Sequence, residues 1–181
     1  MIDRPGRPVP RFPPDLVDRV RVELGRALDS MELGCGDVGI CGAACGGDLL
    51  FAGEALDRGL RLEVFLGGSE DHHLDHSVSF AGEDWVTRYR ILTGSTRVAV
   101  RCLSSSSEEA LYCEVNQAML ERAIRLAPTG VTLLVLQDRS STPDGPGGTE
   151  DMRRRVLAAG GTVRTLDLAA LRGDGPAGGL A

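Results

Sequence analysis

No lysine occurs among the 181 residues; all 20 basic side chains are arginine. A Walker phosphate loop needs a lysine on the β- and γ-phosphates, so an ordinary P-loop NTPase is excluded, as is Schiff-base chemistry. Aromatic residues make up only 4% of the chain, too few for base stacking on an aromatic platform to be the main chemistry. No apolar run approaches the roughly 20 residues that cross a bilayer. The 26 acidic residues outnumber the basic ones and leave a net charge of −6. A protein that neutralises a nucleic-acid backbone would normally be basic, so neither nucleic acid nor membrane is an expected partner. There is no recognisable secretory signal. The five cysteines, Cys35, Cys41, Cys45, Cys102 and Cys113, are odd in number. Both features argue against a secreted disulfide scaffold and make the cytoplasm the expected location.

What the chain has in abundance is glycine, 24 residues, many of them at the ends of apolar runs. Residues 1–14 read as an extended, Pro- and Arg-rich lead-in. Pro13 and Pro14 then open a helix with Asp15 in its first turn, and Val17, Val20, Leu24 and Leu28 recur at helical spacing as far as Gly34 and Gly36. Residues 38–41 read as a buried strand, 48–58 as a helix closed by Gly59, and 62–66 as a strand. An acidic, His-containing loop is expected over 67–79, a helix over 83–92 and a weaker strand over 97–102. Ser106 and Glu109 have the spacing of a capping box at the head of a long helix reaching Ala127. Residues 131–136 form a continuous aliphatic run, as expected of a strand covered on both faces. A helix from about Glu150 to Ala159 and a strand at 163–166 follow. Residues 172–181 read as a disordered tail.

Strands alternating with helices are the signature of βαβ units. The expectation is one three-layer, Rossmann-like α/β domain over residues 1–171, with a mainly parallel sheet. Ligands of such sheets sit beyond the carboxyl ends of the strands. Two strand-to-helix turns there are glycine-rich: residues 39–48, with Gly42, Cys45, Gly46, Gly47 and Asp48, and residues 145–149, with Gly147, Gly148 and Thr149. Glycine lets the backbone approach a phosphate, and each following helix offers free N–H groups and partial positive charge. Thr149 adds a hydroxyl donor. Asp48 either caps its helix or meets a ribose hydroxyl. Asn116, a polar residue beside the apolar stripe of the long helix, either bonds a ligand or holds a neighbouring loop.

The string from Gly39 to Gly59, GICGAACGGDLLFAGEALDRG, resembles the SLOG superfamily of Rossmann-like nucleotide-binding proteins, which includes the Lonely Guy (LOG) phosphoribohydrolases. More narrowly, it is similar to a bacterial branch found beside nucleotide cyclase or tetratricopeptide-repeat modules. That branch shows a GHMIDAPGR…PRFP lead-in, an ACGADILFAEAAL.RG loop and helix, a Y…N..ML.RA helix and a GPGGT.DM end. The counterparts here are residues 1–13, 44–59, 112–123 and 145–167. The resemblance implies a nucleotide or phosphorylated small molecule as ligand, and an effector domain or protein as partner. Two departures stand out. The family's first strand, interior to its sheet and ending in a Gly-His turn, has no counterpart. The LOG motif PGGxGTxxE is also incomplete: Thr149 follows Gly148 directly, and Met152 stands where the carboxylate belongs. The sensor reading is therefore preferred to the enzyme. Were the chain an N-glycosidic hydrolase, Glu114 or Glu150 would have to stabilise the ribosyl cation. A module with no ligand is the third reading. Homodimerisation is left open.

Three further groups have bland alternatives. His72 and His76 would share a helix face, as two metal ligands need, but the spacing supplies only two ligands. Cys41 and Cys45 are spaced for zinc without a second pair, which favours packing over a metal. Trp85, the sole tryptophan, reads as core or rim. Neither metal nor cofactor is expected.

Overall fold

Local chemistry sets where each element begins and ends. Pro13 is extended, and a 3₁₀ turn, Pro14–Leu16, leads into helix α1 (Val17–Asp29), whose Val20, Leu24 and Leu28 are buried. Helix α1 ends before the expected glycines. The Ser30 hydroxyl donates to the Ala27 carbonyl at 2.8 Å, competing for the last turn, and Glu32 then takes a left-handed backbone (φ 52°). The chain continues as β1 (Val38–Cys41), α2 (Gly47–Asp57), β2 (Arg61–Gly67), α3 (Glu70–Ser77), a 3₁₀ turn (Ser79–Ala81), α4 (Glu83–Thr93), β3 (Val98–Leu103), α5 (Glu108–Leu126), β4 (Thr132–Gln137), α6 (Thr149–Ala158), β5 (Thr162–Asp167) and α7 (Leu168–Arg172). The structure, a computed structural model, describes residues 1–4, 6, 10–34, 36–105, 107–128, 130–137 and 148–173.

Three other boundaries also differ from expectation. The acidic segment expected as a loop contains helix α3. Ser69 caps it by accepting from the His72 N–H, and Glu70 and Asp71 lie in its first turn, where negative charge is favoured. The cap of α5 is Ser107, whose hydroxyl accepts from the Ala110 N–H at 3.2 Å; Ser106 lies outside the described residues. Arg172 belongs to α7 rather than to a tail. Asp167 caps that helix and Gly173, left-handed at φ 86°, ends it.

Among the described residues every strand pairing is parallel, but the expected single sheet is two. β1, β2 and β3 form one, with Val38 opposite Arg61 and Leu62 opposite Val98; β4 and β5 form the other, with Thr132 opposite Thr162. Among the described residues nothing pairs with the second edge of β1 or of β4.

Helices cover both faces, giving three layers. Helices α2 and α4 pack over the first sheet, and α1 lies between α2 and β5. Helix α5 crosses the opposite face against β1, β2 and β3, and α6 lies against β4 and β5. One apolar cluster joins Val20 and Leu24 of α1, Leu49 and Leu50 of α2, and Leu62, Val64 and Leu66 of β2; Leu134, Leu136 and Leu166 of the second sheet pack on it. Phe65, Leu111, Val115 and Leu120 are also buried. Glu63, on β2, is buried with them and is held by Arg122 of α5 and Arg101 of β3.

Candidate functional site

The turn between β1 and α2 is shaped by close backbone approach. Ala43 is fully buried and adopts φ 54°, a left-handed conformation uncommon outside glycine. Gly46 has φ 103°, and a Cβ there would lie 2.7 Å from the Ile2 nitrogen, so only glycine fits. The contact arises because the Ile2 N–H donates to the Cys45 carbonyl at 3.0 Å, drawing the lead-in across the turn. On the other side the Cys45 N–H donates to the Ser77 carbonyl at 2.9 Å, tying the turn to α3.

These ties leave the head of α2 open. Leu49 donates to the Ala44 carbonyl and Leu50 to that of Gly46. The N–H groups of Gly46, Gly47 and Asp48 have no acceptor among the described residues. No side chain caps α2 at Gly46. The Asp48 carboxylate instead turns back, its Oδ2 accepting from the Ala44 N–H at 3.2 Å and lying 3.1 Å from where a Gly42 Cβ would sit. Its Oδ1 has no partner among the described residues. A helix head with unused amides at the carboxyl end of a parallel strand can hold an anion.

The second turn is described in part. A Cβ at Gly47 would lie 3.5 Å from the Leu136 side chain, so the carboxyl end of β4 abuts the head of α2. Residues 138–147, and Gly147 with them, lie outside the described residues. Gly148 is the extended N-cap of α6 and Thr149 its exposed first residue, with the Met152 N–H donating to the Gly148 carbonyl at 3.2 Å.

Other expected residues are placed as follows. Cys45 is fully buried in the apolar cluster, and burial raises its thiol pKa, as it does that of Cys41. Both are therefore thiols rather than thiolates at neutral pH. Asn116 is buried on α5. Neither candidate carboxylate stands alone: Glu114 accepts from the Ser105 hydroxyl at 2.9 Å and Glu150 pairs with Arg153 at 3.2 Å. His72 and His76 share a face of α3 with rings stacked 4.1 Å apart. No group of three His, Cys, Asp or Glu residues suited to a metal occurs among the described residues.

The residue that sequence reasoning passed over is His73. It faces inward from α3, 4% exposed, with its ring stacked 5.9 Å from that of Tyr89 on α4. Neither ring nitrogen has a hydrogen-bond partner among the described residues. Leaving such a group unpaired costs about 1–3 kcal/mol. Burial lowers its pKa, opposed by the Ala43 carbonyl and the Asp48 charge of the β1–α2 turn. The available signal was period: once 70–77 is helical, His73 and Ser77 form its inner face.

A groove of about 860 Å³ lies elsewhere, between the lead-in and the start of α4. Its guanidiniums are stacked on rings, Arg4 over Phe80 and Arg88 over Trp85, and Asp18, Glu83 and Asp84 also border it. No described residue of either glycine turn lines it, and those carboxylates oppose an anion, so the head of α2 is the better candidate.

No protein-family model, curated protein or solved structure matches the chain.

Proposed function

We propose that the chain is a Rossmann-like sensor module that binds a nucleotide, or a phosphorylated molecule derived from one, at the head of α2. The observation that carries this reading is the set of unused amides at Gly46, Gly47 and Asp48, where β1 ends and β4 abuts. Phosphate would lie on those amides, favoured by the positive end of the helix dipole. The Asp48 Oδ1 is free to accept from a ribose hydroxyl. Gly148 and Thr149, at the head of α6, would close on the ligand from the side of β4. With Glu114 and Glu150 both engaged by neighbours, binding without turnover is the preferred outcome.

The test is thermal unfolding against a panel of nucleoside mono-, di- and triphosphates and dinucleotides. A ligand at a hundredfold excess over its Kd stabilises the folded state by about 2.7 kcal/mol. Some member of the panel is expected to raise the midpoint, with no free base released on chromatography. Release of base would replace the sensor with an N-glycosidic hydrolase. No shift with any member would favour a module that binds no nucleotide.

A further inference from the structure

Two consecutive peptide groups of the lead-in are held between opposite charges. The Arg11 N–H and the Phe12 N–H both donate to the Asp3 carboxylate, at 2.8 and 2.9 Å. The carbonyls of those same peptide groups, on Pro10 and Arg11, both accept from the Arg172 guanidinium of α7, the former at 3.0 Å. Each peptide dipole thus lies with its N–H on the anion and its C=O on the cation. In that arrangement each hydrogen bond polarises and strengthens the next. The same residues grip the β1–α2 turn. The Asp3 N–H donates to the Phe12 carbonyl at 3.0 Å, and its neighbour Ile2 donates to the Cys45 carbonyl at 3.0 Å. Ile2 and Phe12 are both buried, and the Phe12 ring comes within 3.2 Å of where a Gly46 Cβ would lie. A line of hydrogen bonds and peptide links therefore runs from α7 through Asp3 and Ile2 to the turn.

We propose that Asp3 and Arg172 are the two halves of a latch, a conformational device through which docking of α7 holds the β1–α2 turn in shape. With the latch closed, Ile2 and Phe12 stay packed on Gly46, and the left-handed Ala43 and positive-φ Gly46 are retained. Loss of either charge leaves the two peptide groups polarised from one side only. Residues 1–3 and 10–12 then part from α7, and the turn relaxes. Helix α7 is the part able to move. It is five residues long, anchored by buried Leu168, and Arg19 of α1 donates to its Leu171 carbonyl at 2.8 Å. A helix of that length is not stable by itself. Its docking and the hold on the turn are therefore two readings of one equilibrium, and by reciprocity whatever frees residues 1–3 must also loosen α7. The inference does not depend on a ligand at the head of α2.

The experiment is amide hydrogen exchange, read residue by residue by NMR on the intact protein, with Asp3→Asn, Arg172→Met and the double variant. Asn keeps the acceptor oxygen without the charge, and Met keeps the arginine stem without a donor. Each single variant is expected to speed exchange at Arg11, Phe12 and Cys45 by roughly tenfold or more, while Val64 and Leu66 of β2 keep wild-type rates. The double variant should add little, since either change opens the same latch. Reciprocity gives the sharper reading. Asp3→Asn should also speed exchange at Gly173, whose N–H closes α7 on the Ala169 and Ala170 carbonyls. Arg19→Met, which unties Leu171 and leaves the clamp intact, should speed Phe12 and Cys45 in the same direction. Wild-type exchange at Cys45 and Gly173 in Asp3→Asn overturns the latch, as do single effects that sum in the double variant. Should Arg172→Met speed β2 as well, the fold itself is failing, and Asp3→Asn with Arg19→Met decides the matter.

Discussion

At the scale of single residues, the turn between β1 and α2 depends on a backbone that few side chains tolerate. In Gly46→Ala a methyl group would meet the Ile2 nitrogen at φ 103°. The substitution is expected to cost at least about 2 kcal/mol, read as a lower urea midpoint at unchanged slope. His73 makes the opposite prediction. Exchange of an unpaired buried imidazole for Phe is expected to add about 1 kcal/mol near neutral pH. Its pH dependence has a definite sign. Burial holds the folded-state pKa below the ordinary value, so the unfolded chain binds the proton first. Wild-type stability is therefore lost as pH falls from about 6.5 towards the lowered value, and His73→Phe should remove that part of the slope in thermal melts. A glycine turn after β1 was legible in the run of small residues, but the approach of the Ile2 backbone that requires Gly46 was not. His73 was not, because burial of one histidine among three depends on a helix that the acidic composition disguised as a loop.

Elements are joined across the layers by arginine. Glu63 projects from the middle of β2 and accepts from Arg122 of α5 at 2.9 Å and Arg101 of β3 at 3.2 Å. Hydrogen bonds and charge from Arg122 first, then Arg101, hold its pKa below the ordinary value against burial. Glu63→Gln should cost about 2 kcal/mol, the range for hydrogen bonds to a charged group. The difference from wild type should be full above the unfolded Glu value of about 4.3 and vanish as pH falls through the lowered one. Equal loss at both pH extremes would mean that packing, rather than charge, holds α5 on the sheet. On α6, Asp151 is buried, which raises its pKa, but pairing with Arg155 and Arg154 more than offsets this; Arg155 also reaches Gln117 of α5. Strand and helix types were readable from apolar period. These ties were not, since a charged residue inside a strand gives no sign of which distant arginine will meet it.

For the whole molecule, alternation of strands and helices implied layers, and the layers are present. The break between the sheets was beyond sequence reasoning, since ladder continuity is set by which edges meet in space. It makes the halves unequal. β2 has a partner on each side and is almost wholly buried, whereas β4 is mostly half-exposed and paired once. Hydrogen exchange should find β2 amides protected up to the global unfolding free energy. β4 and β5 should open together at a lower one. Uniform protection across the five strands would show that the shared apolar cluster makes them one cooperative unit.

Among the described residues, division into two ladders doubles the number of strand edges, from the two of one five-stranded sheet to four. Each edge is a row of backbone donors and acceptors able to template a strand from another molecule. The first misstep on partial denaturation should therefore be intermolecular. Turbidity on heating should climb steeply with protein concentration, and a proline placed in the outer face of β5 should blunt it.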